Sequence, residues 1–219
     1  MLATPHRTWK LLIFDCDGVL VDSEPIGNRV FAEMVGELGL ELSPEIAERM
    51  FRGGQLAHCL EFIEQRLKAP VPHDFVSQFR VRSADAFRAG LRAIPGIHSV
   101  LDQLRLPICV ASNGPREKME LTLDLTDLLP WFENRMFSAY DIQRWKPEPD
   151  LFLHAARQCD TAARHCAVVE DSVFGVQAAL AAGMTPFVFT PPDRQREFDD
   201  FPVTMFDDMR ALPGLLGAP

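Results

Sequence analysis

Two acids one residue apart, Asp15 and Asp17, close the apolar run LLIF and are followed at once by Gly18. Side chains two apart on extended backbone face the same way, so both carboxylates can reach one bound group. Other apolar runs also end in polar residues. Ser112-Asn113 follows ICVA, Lys146 follows MFSA after a short loop in Trp145-Lys146-Pro147, and Glu170-Asp171 follows AVV. If these runs are parallel strands, the groups converge on one edge of a sheet. Four carboxylates gathered there repel, by roughly 4 kcal/mol per pair at ~4 Å and an effective dielectric of about 20. A hard divalent cation relieves that repulsion, and an oxygen-only ligand set points to Mg²⁺. A carboxylate beside Mg²⁺, with an ammonium and a hydroxyl to hold anionic oxygens, suits phosphoryl transfer through an aspartyl-phosphate. The second aspartate then serves as general acid for the leaving alcohol and general base for water, so no histidine is needed.

Positioning such groups requires a particular scaffold. Short β-rich runs recur at 11–14, 108–111, 136–139, 167–169 and 186–189, and helical stretches at 115–126, 148–159 and 173–182 separate the later ones. That alternation predicts an α/β protein with a parallel sheet covered on both faces, in which ligands sit beyond the carboxyl ends of the strands. Residues 25–93 contain helical patterns at 26–38, 44–51, 56–67 and 74–90 and no convincing strand. They read as a helical insertion, with turn chemistry at Ser23-Glu24-Pro25 and Ile94-Pro95-Gly96 that suits a pair of hinge strands. The expected organisation is a catalytic core of residues 1–22 and 95–219 and a helical cap of residues 23–94.

DxDG followed by VLVDS, a strand ending in Ser-Asn, a KPxPD segment and a VVEDS segment occur in that order. Together they resemble the haloacid dehalogenase superfamily of phosphotransferases, in its subgroup with a helical cap after the first motif. The resemblance runs over nearly the whole chain and implies a Rossmann-like core. It also implies that Asp15 is the nucleophile, Asp17 the general acid/base, and Ser112, Asn113 and Lys146 the phosphate-binding residues. Metal ligation falls to Asp15 through its side chain, Asp17 through its carbonyl, Asp171, and Glu170 either directly or from behind. The segments CVASNGPREKM and FSAYDIQRWKPEPDLFLHAARQ narrow the likeness to phosphatases of small phosphorylated metabolites, a sugar phosphate or a sugar-acid phosphate such as 6-phosphogluconate. In the cap, Arg52-Gly53-Gly54-Gln55 is either a turn between helices or a segment reaching the substrate on closure.

Competing readings have their own marks. A calcium loop needs glycine at its sixth position, whereas Gly18 is the fourth position of a loop starting at Asp15. Ser112 and Glu170-Asp171 could also cap the helices that follow them. A β-phosphoglucomutase returns the phosphoryl group to sugar, and in those mutases a histidine follows the nucleophile by twelve positions; Gly27 stands there. A haloacid dehalogenase proper would leave Asp17 and the metal acids without purpose. A phosphorylatable receiver domain shares the Asp, Ser and Lys set but needs no cap.

Composition sets the outer limits. The 219 residues are 47% hydrophobic, enough for a sizeable core, and the net charge of −9 with no basic block argues against nucleic acid. The uncharged run from Ser172 to Pro192 is interrupted by Gln177, Gly183 and Pro186, so it reads as a helix followed by a strand and no membrane segment is expected. The first ten residues lack the pattern of a secretory leader, and a cytoplasmic location is expected. The five cysteines form no CxxC and read as reduced core thiols.

Overall fold

The structure, a computed structural model, describes residues 9–43, 46 and 54–217. Its frame is a six-stranded sheet built from β1 (Leu11–Phe14), β2 (Ile108–Ser112), β3 (Met136–Ser138), β4 (Cys166–Glu170), β5 (Thr185–Phe189) and β6 (Thr204–Phe206). The strand order is β3-β2-β1-β4-β5-β6 and every pairing is parallel. The chain winds outward from β1 through β2 to β3, then crosses back to lay β4 on the other side of β1. The strand order therefore reverses beside β1, where open α/β sheets bind ligands.

Among the described residues the α-helices longer than one turn are α1 (Glu24–Glu37), α2 (Leu56–Leu67), α3 (Phe75–Gly90), α4 (Ile97–Gln103), α5 (Arg116–Leu125), α6 (Asp150–Gln158) and α7 (Val173–Ala181). The strands are apolar throughout because both faces of the sheet are covered. Leu12, Phe14, Ala167 and Val169 pack on one side with Ile97 and Val100 of α4 and Met119 and Leu123 of α5. Leu11, Ile13, Cys166 and Val168 pack on the other with Leu151 and Phe152 of α6 and Ala178 and Ala179 of α7. This two-residue alternation within unbroken apolar runs places the next residues, Asp15 and Asp171, at the sheet edge rather than inside it.

Helices α1 to α3 lie between β1 and β2 and have a core of their own. Val30, Phe31, Met34, Cys59, Ile63 and Phe75 are buried together, and Phe31 meets Phe75 and Phe79 edge-on at 5.7 and 5.5 Å between centroids. The two connections to the sheet run side by side, with Asp22 donating to the carbonyl of Arg92 and Ile94 to that of Leu20. The contact amounts to an isolated antiparallel bridge at Val21 and Ala93 instead of the full hinge strands expected from the turn residues. The helical pattern read at 44–51 lies outside the described residues, Ile46 excepted.

Strand β6 has no counterpart among the runs read from the sequence. It is three residues long, pairs on one side only, and Thr204 is exposed, so no buried alternation marks it. The run 172–192 divides into α7 and β5 as anticipated, and among the described residues no helix is long and apolar enough to cross a membrane.

Candidate active site

Parallel strands end at the same level, and this brings Asp15, Ser112 and Glu170 to adjacent strand ends. The N–H of Asp15 continues the ladder to the carbonyl of Val169 at 2.9 Å, which fixes the first carboxylate against β4. Lys146 arrives from the loop after β3 and is buried to 2% exposure. Its ammonium lies 2.6 Å from Asp15 Oδ1 and 2.6 Å from Glu170 Oε1, and 4.8 Å from the centroid of the Phe152 ring. Burial works against a charged lysine, yet Asp15 and Glu170 outweigh it and hold the ammonium protonated above its ordinary range.

Glu170 is wholly buried and has both oxygens engaged. Oε1 takes Lys146; Oε2 accepts from the N–H groups of Asp171 and Ser172 at 3.0 and 3.1 Å and from Ser172 Oγ at 2.9 Å. Helix α7 is capped by Ser172 Oγ, which accepts from the N–H of Gly175. Capping of this helix thus belongs to Ser172 and not to the acids before it. Gly175 makes room for the Glu170 carboxylate, since a methyl group there would fall 1.8 Å from Oε1.

Asp171 differs. It is buried, accepts no hydrogen bond at its carboxylate among the described residues, and is pushed well above the usual carboxylate range by burial and by Glu24, Glu170 and Asp15. Gly18, at φ +74°, permits its approach: a Cβ there would lie 2.5 Å from Asp171 Oδ2. Oxygens of Asp15, Glu170 and Asp171 lie within 4.8 Å of one another. Three buried carboxylates against one lysine leave a negative excess, and burial first, then Glu170 and Asp17, push Asp15 up to about 7 despite Lys146. An all-oxygen cluster with that excess fits Mg²⁺, with Asp15 and Asp171 the carboxylates whose capacity is left to hold it.

Asp17 sits across the cavity in a different setting. Lys118 of α5 lies 2.8 Å from Asp17 Oδ1, and Ser23 Oγ donates to the same oxygen. Burial raises its proton affinity, but the Lys118 charge and these two bonds prevail and hold the carboxyl below its ordinary value. Ser23 precedes α1 and does not cap it, because its hydroxyl is directed to Asp17. The two acids of the DxD motif therefore differ in environment, one pushed up and one held down.

Ser112 Oγ accepts from the N–H of Gly114 at 2.9 Å, which shapes the turn into α5; the helix itself begins at Arg116. Asn113 does something its expected phosphate role did not include. Its carboxamide accepts from the Lys146 N–H at 2.9 Å and donates to the Lys146 carbonyl at 3.3 Å, bracing the lysine's backbone. Of the stretch Arg52-Gly53-Gly54-Gln55, Gly54 lines the cavity and Gln55 stands at the start of α2, whereas Arg52 and Gly53 lie outside the described residues.

The cavity has a volume of about 510 Å³ and runs from Asp15, Ser112 and Lys146 to α3. Lys118, Ser23 and the α3 residues Arg80 and Ser83 line it, and none of them was anticipated. The spacing of 80, 83, 84 and 87 on one face of a long helix was the available signal. Gly27 also lines it, with nothing within 4 Å of where a side chain would begin.

The haloacid dehalogenase-like hydrolase family model matches residues 9–183. A 6-phosphogluconate phosphatase of Escherichia coli (strain K12) is 36% identical over 207 residues, 94% of each chain, and hexitol phosphatase B of the same strain is 27% identical over 90% of each. A crystal structure of a conserved haloacid dehalogenase-like protein from Agrobacterium tumefaciens str. C58 superposes with a TM-score of 0.82 at 32% identity, covering 95% of this chain and 98% of that one. With strand order, site geometry and a match over most of the sequence in agreement, the chain belongs to the haloacid dehalogenase-like hydrolases: it is an enzyme, and the curated relatives that it resembles are phosphatases.

Proposed function

We propose that the protein is a Mg²⁺-dependent phosphomonoesterase for a sugar phosphate or sugar-acid phosphate such as 6-phosphogluconate, working through an aspartyl-phosphate. The observation that carries the reading is the setting of Asp15, held by Lys146 at 2.6 Å and facing a cavity large enough for a six-carbon phosphate. Asp15 attacks phosphorus, and Lys146 and Ser112 hold the phosphoryl oxygens. Asp15 and Asp171, with the Asp17 carbonyl, are the residues that would hold Mg²⁺, and Glu170 orients Lys146 from behind. When bound, Mg²⁺ supplies positive charge to the phosphoryl oxygens.

Asp17 handles the proton. At rest Lys118 and Ser23 keep it a carboxylate, the form that accepts a proton from water in the second step. As the substrate binds, its phosphoryl charge competes for Lys118, which lets Asp17 take up a proton from solvent and pass it to the leaving alcohol in the first step. Residues 23–94 act as a cap that excludes bulk water around these transfers. The open space at Gly27 favours water as acceptor over a mutase reaction, since no side chain stands there to activate a sugar hydroxyl.

The test is phosphate release from 6-phosphogluconate, glucose 6-phosphate and β-glucose 1-phosphate, with sugar phosphate isomers followed in parallel. Net release stopped by EDTA and restored by Mg²⁺ is expected. Phosphoryl migration without release, or turnover indifferent to both additions, would overturn the reading.

A further inference from the structure

Helix α3 carries an unmet hydrogen-bonding group on a residue that lines the cavity. Ser83 is 6% exposed, it lines the cavity, and its Oγ has no hydrogen-bond partner. A buried hydroxyl in that state is disfavoured unless something else satisfies it. One turn earlier on the same face, Arg80 also lines the cavity and reaches across to the sheet domain, its guanidinium carbon 5.6 Å from the centroid of the Tyr140 ring.

The other cations around the cavity are committed. Lys146 serves Asp15 and Glu170, Lys118 serves Asp17, and Arg88 pairs with Asp85 at 2.9 Å. Among the described residues Arg80 has no carboxylate partner. Glu24 and Glu117 also line the wall, and an anion near either would be repelled.

We infer that Arg80 and Ser83 form a subsite for a carboxylate at the end of the substrate remote from phosphorus, so that the enzyme selects phosphorylated sugar acids over phosphorylated polyols. This rests on the phosphatase reading above. A guanidinium binds a carboxylate through paired N–H donors, and a neighbouring hydroxyl supplies a further donor. The group matched is singly charged and planar; a second phosphate would bring more charge than one arginine offsets.

The experiment compares kcat/KM for 6-phosphogluconate, glucitol 6-phosphate and a hexose bisphosphate in the wild type, Arg80→Met, Arg80→Lys and Ser83→Ala. Arg80 is exposed and Ser83→Ala removes a single atom, so folding is preserved, which circular dichroism verifies. The wild type should favour the sugar acid. Arg80→Met should cost the acid ten- to a hundredfold more than the polyol, chiefly in KM, with Arg80→Lys recovering part and Ser83→Ala losing severalfold. Hydrolysis of all three substrates in ratios that the variants leave unaltered, or a wild-type preference for the polyol or the bisphosphate, overturns the subsite and leaves the phosphatase reading standing. Absence of phosphate release from every monoester, including p-nitrophenyl phosphate, overturns both.

Discussion

Replacing Gly175 by alanine tests how the site is assembled. The added methyl would lie 1.8 Å from Glu170 Oε1 and 1.9 Å from its Cδ, far inside contact distance, so the carboxylate or the first turn of α7 must move. Moving Glu170 forfeits its ion pair with Lys146 at 2.6 Å and three hydrogen bonds from Asp171 and Ser172. Breaking a buried pair while leaving one charge in place costs about 3–5 kcal/mol. For a chain of this size that corresponds to a drop in Tm of about 6 to 20 °C. Lys146 would keep only Asp15 as a partner, and phosphate release should fall at least tenfold. Urea denaturation and phosphate release should be measured for Gly175→Ala, Glu170→Ala and the double variant. If the carboxylate is what the methyl displaces, the alanine at 175 should cost little once Glu170 is gone, and the cycle will be strongly non-additive. Additive costs, or a Gly175→Ala protein as stable and active as the parent, would refute the argument.

Other outcomes follow from the remaining groups. Asp15→Asn should lower phosphate release more than about 1,000-fold with the fold intact by circular dichroism; substantial turnover would remove Asp15 as nucleophile. Without a divalent cation, stability should decline as pH rises, because folded Asp15 keeps its proton to about 7 whereas the unfolded acid releases it near 3.8. The folded state then binds more protons between those values, and the loss amounts to about 2 kcal/mol between pH 5 and 7. Mg²⁺ should therefore stabilise more at pH 8 than at pH 5 in urea melts, and an equal gain at both would contradict the cluster's role. Lys118→Met should move the acidic limb of the pH–rate profile upward, since the lysine holds Asp17 low; an unmoved limb would separate Lys118 from the proton carrier.

What could be read in the chain depended on whether the signal was local. Asp15, Asp17, Glu170 and Asp171 each sit at the end of an apolar strand, so strand recognition and site recognition were the same act. The strands themselves were placed within a residue or so, because burial on both faces makes them continuous apolar runs. Lys118 and Ser23 were not legible, since one is an ordinary lysine on a helix and the other an ordinary serine before one. Only folding brings both to a single oxygen of Asp17. Between β1 and β2 the glycine-rich stretch Arg52-Gly53-Gly54-Gln55 stands out, and its Gly54 does line the cavity, but Arg80 and Ser83 line it from α3, whose polar face resembles any solvated helix. The role of Glu170 needed the position of Gly175, five residues on and one turn into the next helix.

The Asn113 carboxamide has a mechanical meaning beyond its two hydrogen bonds. It grips both the N–H and the carbonyl of Lys146, as a neighbouring strand would, at a place where β3 has already ended. The turn after β2 and the loop after β3 are thereby fastened into one piece. Ser112 and Lys146, which meet the same phosphoryl group in the proposed reaction, are tied together through Asn113. If residues 23–94 move as the proposed cap, access to the anion site changes without loosening it.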